Sequence, residues 1–164
     1  MRRFAPFLML AVLAACTESP TAPSDVEPLF AKGGVMHSAT GSGHIETTSR
    51  RTFSFSANMK SDGSVSGQFN LVIHNDTQIR VHAEVTCMSV VGNRAYVGGV
   101  VKSASTPEWV GSETGWAVED NGKSGDMISL MNIPSPTPGF AQSVCDAQSR
   151  ITNFVVEGGN VRVR

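Results

Sequence analysis

The chain has no excess of basic residues, since it holds 13 lysines and arginines against 14 aspartates and glutamates in 164 residues. Nucleic-acid-binding domains normally present a basic patch, so we expect no nucleic-acid partner. The chain also has no apolar run of about 20 residues, the length that a membrane-spanning helix needs. Its apolar stretch at residues 4–13 is too short for that role.

Motifs of known hydrolases and metalloenzymes are incomplete in this sequence. Residues 63–67 read G-S-V-S-G, with valine where the nucleophilic serine of a G-x-S-x-G elbow would stand. His82 and Glu84 form the H-x-E half of a zinc-deaminase signature, but the P-C-x-x-C half is missing. The sequence therefore predicts no particular chemistry, and we expect neither a cofactor nor a metal.

Asp120, Asn121 and Asp126 surround a glycine-containing segment and offer hard oxygen ligands that would suit calcium. Their spacing does not match an EF-hand loop. Asp and Asn beside glycine are foremost turn-forming residues. We therefore interpret the segment as a tight turn, with calcium binding as the alternative.

Residues 1–15 have the three parts of an export signal: Arg2 and Arg3, an apolar run, and small residues before the cleavage point. Leu13-Ala14-Ala15-Cys16 looks like a bacterial lipobox, in which the cysteine is diacylated and the chain is cut before it. We predict lipid attachment at Cys16 and a membrane partner; ordinary cleavage with a free Cys16 is the alternative. Thr17 replaces the aspartate that retains many lipoproteins at the inner membrane, which favours the outer membrane.

Removal of the signal takes away two arginines and leaves 11 basic residues against 14 acidic ones, a net charge of −3. Residues 16–42 are rich in Pro, Ser, Thr and Gly without a sustained period, which indicates a lipidated cysteine followed by a flexible tether of about 25 to 30 Å. The more apolar "VEPLFAKGGVM" within it is interpreted as a segment packed on the domain, or else as a partner-binding motif. Residues 43–164 suffice for one domain with its own core.

Apolar and polar residues alternate strictly at residues 52–60, which indicates a strand with one buried face. Residues 61–63, S-D-G, predict a three-residue hairpin loop with Gly63 in the left-handed conformation. Two further strands are predicted, at residues 64–74 and 79–87. The predicted inward residues are Phe53, Phe55, Ala57 and Met59, then Val65, Gly67, Phe69, Leu71 and Ile73, then Ile79, Val81, Ala83, Val85 and Cys87.

Later strands are predicted at residues 94–102, 109–119, 126–133 and 151–163, with turn-forming segments and no helix between them. Short strands at this spacing are typical of an all-β domain. We predict a single antiparallel meander, with a small β-barrel favoured over a β-sandwich. Gly98-Gly99, within a strand, indicates a bulge or a close approach of two backbones.

The two tryptophans are predicted to have different environments. Trp116 shares its parity with Thr114 and Val118 and is expected to pack inside. Trp109 begins a strand at the rim, where with Phe140, in a long loop at residues 134–150, it could line a ligand site. An exposed aromatic residue is common, however, and a bare rim without a ligand is the alternative.

Residues 85–101, VTCMSVVGNRAYVGGVV, are followed by VEDNGKSGDMISL at residues 118–130 and a later cysteine. This pattern resembles a family of small secreted bacterial proteins with V-T-C-x-x-V-x-G-N-x-A, D-N-G and D-x-x-S segments. The likeness covers most of residues 52–164. It implies a common fold and a secreted context, and no activity or site.

The remaining cysteines, Cys87 and Cys145, are the only thiols left once Cys16 carries lipid. Secreted domains in an oxidising space tend to pair an even number of cysteines. We therefore predict a Cys87–Cys145 disulfide, with two separate buried thiols as the alternative.

His82 and Glu84 are predicted to share the outward face of the third strand, across from Asn70 and Gln68. Such a cluster could shuttle a proton, but an open, solvated sheet face is the favoured interpretation; we interpret His44 and His74 in the same way.

The expected function is that of a membrane-tethered envelope lipoprotein with a non-enzymatic β domain that has a binding or structural role. Its expected partner is an envelope protein or a small molecule. The alternatives are a small envelope hydrolase with a site around His82 and Glu84, and a lipocalin-like carrier if the barrel is hollow.

Overall fold

A computed structural model describes residues 34–164, which form one antiparallel sheet of ten strands and a short helix. The predicted signal at residues 1–15, Cys16 and most of the predicted tether lie outside the described residues. No helix within residues 34–164 has the length and apolar character needed to cross a membrane. The elements are β1 (Val35–Ile45), β2 (Arg51–Lys60), β3 (Val65–Ile73), β4 (Ile79–Val91), β5 (Arg94–Ala104), β6 (Glu113–Glu119), β7 (Met127–Ile128), β8 (Asn132–Ser135), α1 (Phe140–Ala147), β9 (Phe154–Val155) and β10 (Glu157–Val163).

The sheet is a meander in which each of the first six strands pairs with the next along the chain. β10 returns to pair with β1, in the register Gly41 with Val161, while β9 pairs with β7 and β8 with β6. The sheet is thereby nearly closed on itself. The predicted all-β fold, with a small barrel rather than a sandwich, is confirmed.

The hairpin of β2 and β3 has the predicted alternation of buried and exposed residues. Phe55 lies opposite Phe69, and both side chains are buried. Gly63 has a φ of 80° in the connecting turn, where Asp62 Oδ1 accepts a hydrogen bond of 2.9 Å from Ser64 N. The predicted turn and the inward face of both strands are confirmed.

β1 extends the domain toward the N-terminus, because it begins at Val35 whereas the sequence assigned residues up to 42 to the tether. Its inward positions include Gly41 and Gly43, which lack the side chains that make a strand recognisable. A Cβ at Gly41 would lie 2.7 Å from Cε1 of Phe55, so the phenylalanine ring occupies the space of the missing side chain. The strand therefore shows no apolar alternation.

Large side chains fill the barrel interior. Trp116 is 0% exposed, as its parity predicts, and its ring stacks on Phe69 with 4.3 Å between centroids. Phe55 meets the same indole edge-on at 5.8 Å. The largest of the other fully buried side chains are Ile45, Leu71, Ile128 and Met131. Such packing is typical of small barrels, whose interior side chains fill the available space.

Two aspartates complete the barrel where β10 faces β6 and β7. Asp126 Oδ2 accepts a hydrogen bond of 2.6 Å from Val161 N, and Asp120 Oδ2 accepts one of 3.1 Å from Val163 N. These N–H groups point away from β1, because alternate residues of β10 direct their backbone N–H and C=O groups toward opposite edges of the strand. The carboxylates therefore replace the missing ladder bonds, and we call Asp120 and Asp126 the seam aspartates.

The predicted loop at residues 134–150 contains a helix, α1, so the expectation of an all-strand domain without helix was wrong here. α1 packs over two glycines that are paired in β5 and β6: a Cβ at Gly98 would lie 2.3 Å from Ala141 O, and one at Gly115 would lie 2.7 Å from Val144 Cγ2. The predicted close approach at Gly98 is thus confirmed. Glu113 accepts hydrogen bonds from Gly139 N and Ala141 N, which satisfies two backbone donors at the helix start.

The predicted disulfide joins Cys87 of β4 to Cys145 of α1. Cys87 does not face the barrel interior, contrary to its predicted parity. The register of β4 with β5 shifts between Val85 and Cys87, so one extra residue resets the alternation. Cys87 lies opposite Gly98 on the outer face and reaches α1, while Met88 becomes the next interior residue.

The last three predicted strand ranges contain strands that are shorter in the structure than the sequence predicted. Residues 109–119 contain the end of a 3-10 turn, Pro107–Trp109, before β6 begins at Glu113. Residues 126–133 divide into β7 and the start of β8. Residues 151–163 divide into β9 and β10.

Candidate functional site

The outer surface of β1, β2 and β3 carries a continuous set of short hydroxyl and amide side chains. Every second residue of these strands points away from the core, and ten of the outward residues are serine, threonine, asparagine or glutamine. We call these ten the polar face: Ser38, Thr40, Ser42, Thr52, Ser54, Ser56, Asn58, Ser66, Gln68 and Asn70.

The strand register arranges the polar face in rows across the sheet. One row runs Ser42, Ser54, Asn70, and the next runs Thr40, Ser56, Gln68. Neighbouring strands lie about 4.8 Å apart, and side chains two residues apart along a strand are about 6.7 Å apart. The polar groups therefore form a regular two-dimensional array.

Most polar groups of this face have no hydrogen-bond partner among side chains of the described residues. The exceptions are Thr52, whose Oγ1 lies 2.9 Å from His74 Nε2, and Asn70, whose Oδ1 lies 2.9 Å from His82 Nδ1. Each hydroxyl can both donate and accept, and each amide offers two donors and an acceptor. The face therefore presents many unused hydrogen-bonding groups to the solvent.

The face is also almost free of charge. Lys60, at the end of β2, is the one charged residue among the outward positions of that strand. Arg51 has the inward parity of Phe53 and contacts Met131 O. Surfaces of soluble domains usually carry about 25–35% charged residues. A ligand for this face therefore gains hydrogen bonds rather than ion pairs.

His82 and Glu84 lie beside the polar face on β4, but each has a different partner. Glu84 Oε2 is 2.9 Å from Lys102 Nζ in an exposed ion pair, while His82 contacts Asn70. The sequence placed both residues opposite Asn70 and Gln68, and the register confirms this placement. The two side chains do not form the hydrogen-bonded pair that a histidine base and an orienting carboxylate would need.

The structure does not bring Trp109 and Phe140 together. Trp109 packs against the cluster that fills the barrel interior. Phe140 packs on the outer side of the sheet, against Tyr96, Ala117 and Val144. Because the two side chains belong to opposite faces of the sheet, they do not line one ligand site at the rim.

The candidate calcium ligands are used as backbone acceptors. Asp126 Oδ1 accepts from Asn121 N at 3.0 Å, and Asp120 Oδ1 accepts from Gly122 N at 3.2 Å. Their second oxygens bind β10 at the seam. All four carboxylate oxygens thus have N–H donors, so the turn interpretation of this segment agrees with the geometry.

The residues that carry the sequence resemblance hold the fold together. Asn93 Nδ2 donates to Asp120 O and to Asn121 Oδ1, which joins two turns. Ser129 Oγ accepts a hydrogen bond of 2.8 Å from Ala117 N. These polar residues and Asp126 bond backbone groups of the second half of the sheet, and the disulfide ties α1 to β4.

No protein-family model, no curated protein and no solved structure matches the chain. The sequence shows the alternation on which the polar face rests, in β2 and β3 above all. The contribution of β1 went unrecognised, because its inward glycines conceal the alternation; the run S-x-T-x-S at residues 38–42 is the signal that was available.

Proposed function

We propose that the chain is an exported lipoprotein, acylated at Cys16, whose β domain binds a neutral, hydroxyl-rich polymer of the cell envelope through the polar face. The observation that carries this proposal is the uncharged array of hydroxyl and amide groups in register on β1, β2 and β3. The domain acts by binding and not by catalysis.

Two observations support export and anchoring. Leu13-Ala14-Ala15-Cys16 looks like a lipobox behind an export signal. The Cys87–Cys145 disulfide is compatible with an oxidising compartment outside the cytoplasm. The resemblance to small secreted bacterial proteins agrees with both, and Thr17 after the cysteine favours outer-membrane attachment.

The chemistry of the polar face selects the class of ligand. A nucleic acid or an acidic polymer would need basic residues, and an apolar partner would need exposed aromatic or aliphatic side chains. Ser54, Ser56 and Gln68 offer neither, but they offer donors and acceptors at regular spacing. A neutral polysaccharide matches this pattern, because its repeated hydroxyl groups are donors and acceptors as well.

The contacts of His82 and Glu84 favour binding over hydrolysis. Each is exposed or half-buried on an open sheet, and each contacts a different residue. A catalytic site needs converging groups shielded from water. The packed interior around Trp116 likewise gives no support to a carrier of apolar molecules.

Lipidation is tested by Cys16→Ser in cells that express the full-length chain. We expect the wild-type protein in the membrane fraction with the mass of a cleaved, acylated chain, and the variant released from membranes. Mass spectrometry of the intact membrane-bound protein is the measurement. A wild-type mass without acyl groups would contradict the lipoprotein assignment.

Ligand binding is tested by co-sedimentation of the full-length protein, in detergent, with an insoluble neutral polysaccharide such as cellulose. Ser54→Lys places a charge in the centre of the polar face, where Ser54 pairs with Ser42 and Asn70. The matched control is Ser124→Lys, an exposed serine in the turn before β7. We expect the first variant to sediment at least tenfold less than wild type and the control to match wild type.

The outcomes separate the proposed ligand from other occupants of the face. Equal sedimentation of both lysine variants, or none by wild type, would contradict polysaccharide binding through this face. A concentration-dependent dimer that Ser54→Lys abolishes would show that a second copy of the chain covers the face instead.

A further inference from the structure

The end of β1 and the start of β10 bring together one histidine and two glutamates. His44 Nε2 lies 3.6 Å from Glu157 Oε2 and 3.9 Å from Glu46 Oε1. One ligand atom from each of the three residues lies within 4.8 Å of the other two. We call His44, Glu46 and Glu157 the strand-end triad; it shares no residue with the seam aspartates.

The backbone holds the triad in place. His44 and Glu46 are two residues apart and point to the same side of the chain, as alternate residues of an extended segment do. His44 pairs with Glu157 across a register shift in the β1–β10 ladder. A Cβ at Gly158 would lie 3.0 Å from Cε1 of the His44 ring, so the ring packs against the glycine backbone. The imidazole is thus supported on one side.

We propose that the strand-end triad binds a divalent transition-metal ion. Zinc binds histidine nitrogen and carboxylate oxygen at about 2.0–2.2 Å, which places two ligands of a tetrahedral site about 3.4 Å apart. The two histidine-to-glutamate distances, 3.6 and 3.9 Å, are close to that value, and the three ligand atoms, all within 4.8 Å of one another, can reach it by side-chain movements. Three protein ligands leave further positions for water.

The ligand types select the metal. Imidazole nitrogen favours zinc, copper, nickel and iron over calcium and magnesium. Calcium takes six to eight oxygen ligands, which two carboxylates and a histidine do not supply. We therefore assign the site to zinc and similar ions rather than to calcium.

Arg50 forms an ion pair with one of the proposed ligand atoms, since its Nε lies 2.6 Å from Glu46 Oε1. The pair is exposed, with 55% of the arginine side chain and 47% of the glutamate side chain accessible. Exposed ion pairs contribute little to stability. A divalent ion can therefore replace the guanidinium at this oxygen at a small cost.

Metal binding would join the first and last strands of the barrel. His44 and Glu46 belong to the end of β1 and the residue after it, and Glu157 begins β10. A ligand that binds only the folded state raises its stability in proportion to the logarithm of ligand concentration. The ion would therefore cross-link β1 and β10 and stabilise their pairing.

The test is titration of the untagged full-length chain, in detergent, with Zn²⁺ by calorimetry and with Co²⁺ by visible absorption. We expect one ion per chain, a Co²⁺ spectrum of a nitrogen- and oxygen-ligated site, and a rise in Tm with Zn²⁺. Glu157→Gln and His44→Gln should each weaken binding at least about tenfold. The Glu157 side chain is 55% accessible, so Glu157→Gln should fold normally.

Glu108→Gln is the matched control, because it removes the same charge from an exposed glutamate in another part of the domain. Its affinity for Zn²⁺ should equal that of the wild type. Binding that is equally strong in Glu157→Gln and Glu108→Gln would place the ion elsewhere and overturn the proposal. The absence of saturable binding up to millimolar Zn²⁺ would overturn it as well.

Discussion

The first five strands and the remainder of the domain are held together in different ways. From β1 to β5, each strand pairs with the next over most of its length, as in the nine-position register of β2 with β3. From β6 onward, apart from the pairing of β10 with β1, the new ladders are short: β7 pairs with β6 at two positions and β9 with β7 at two positions. Backbone ladders dominate the first part of the domain and side chains dominate the second.

Side chains of the second part make the contacts that strands make in the first. The seam aspartates bind β10, Glu113 binds the start of α1, and the disulfide ties α1 to β4. Arg150 adds hydrogen bonds to Leu130 O and Asn132 Oδ1. A barrel can therefore be completed by a few well-placed polar groups where its strands are too short to form a full ladder.

The two parts of the domain also differ in what their polar side chains contact. The polar face lies on the regular part, where the ladders leave outward side chains free to bind a partner. Several polar side chains of the irregular part, among them Asp120, Asp126 and Glu113, are instead bonded to the backbone of the same chain. The most sequence-specific turn, D-N-G with Asp126, therefore belongs to folding, while the candidate binding surface consists of ordinary serines and threonines.

The largest effect is expected for Phe69→Ser in the regular part. Phe69 is 0% exposed and stacks on Trp116, so the variant leaves a cavity and buries a hydroxyl. We expect a loss of about 5 kcal/mol in the free energy of unfolding, measured by denaturant titration. Val72→Ser, an outward position of the same strand, should lose less than about 1 kcal/mol. Equal losses would show that the assigned inward face is wrong.

Removal of the disulfide comes next and concerns the irregular part. The double variant Cys87→Ser/Cys145→Ser opens a cross-link between residues 58 apart, for which chain entropy predicts a loss of roughly 4 kcal/mol. Hydrogen exchange should accelerate most in α1. A reductant should lower the stability of wild type and leave the double variant unchanged. Alkylation of both cysteines in unfolded, unreduced protein would disprove the bridge.

The seam is tested by Asp126→Asn. One carboxylate oxygen that accepts from Asn121 N or Val161 N is replaced by an amide NH₂, which cannot accept. We expect a loss of about 2 kcal/mol, because hydrogen bonds to charged groups contribute about 1.5–3 kcal/mol. Thermal unfolding is the measurement, and Asp76→Asn in an exposed turn should be neutral. If the two variants melt alike, the aspartate does not close the barrel.

The smallest effect is a pH dependence at Glu119. The hydrogen bond from Thr152 lowers the pKa of Glu119, and Arg94 lowers it further. A carboxyl whose pKa is lowered by folding adds stability above its unfolded pKa, and this stability is lost as pH falls through the folded pKa. Glu119→Gln should therefore cost about 1 kcal/mol or less at pH 7, and the difference from wild type should vanish in acid. A difference that is constant with pH would point to packing instead.

The difference between the two parts explains which strands and turns the sequence predicted and which elements it did not. Alternation at residues 52–60 and 64–74 predicted two strands, their buried faces and the turn at Gly63, because these features depend on neighbouring residues. The same reasoning missed α1, whose short sequence lies against Gly98 and Gly115 from distant strands. It also missed β1, whose inward Gly41 lies against the Phe55 ring and whose inward Gly43 lies against Val156.

The candidate sites divide in the same way. His82 and Glu84 were expected beside Asn70 and Gln68, and the register places them there. Trp109 and Phe140 were expected to share a rim, but they pack on opposite faces of the sheet. The strand-end triad needs Glu157, which is 113 residues from His44 in sequence and adjacent to it only through the β1–β10 ladder.

The sequence by itself determined the all-β class, the hairpin of β2 and β3 and the pairing of Cys87 with Cys145, because local periodicity, turn residues and the count of thiols carry that information. Only the tertiary structure decided which way Cys87 faces, how the seam aspartates close the barrel, and which side chains meet at the strand ends. These features depend on a bulge in β4 and on strand pairs that join distant segments, and a one-residue register shift moves a side chain to the opposite face.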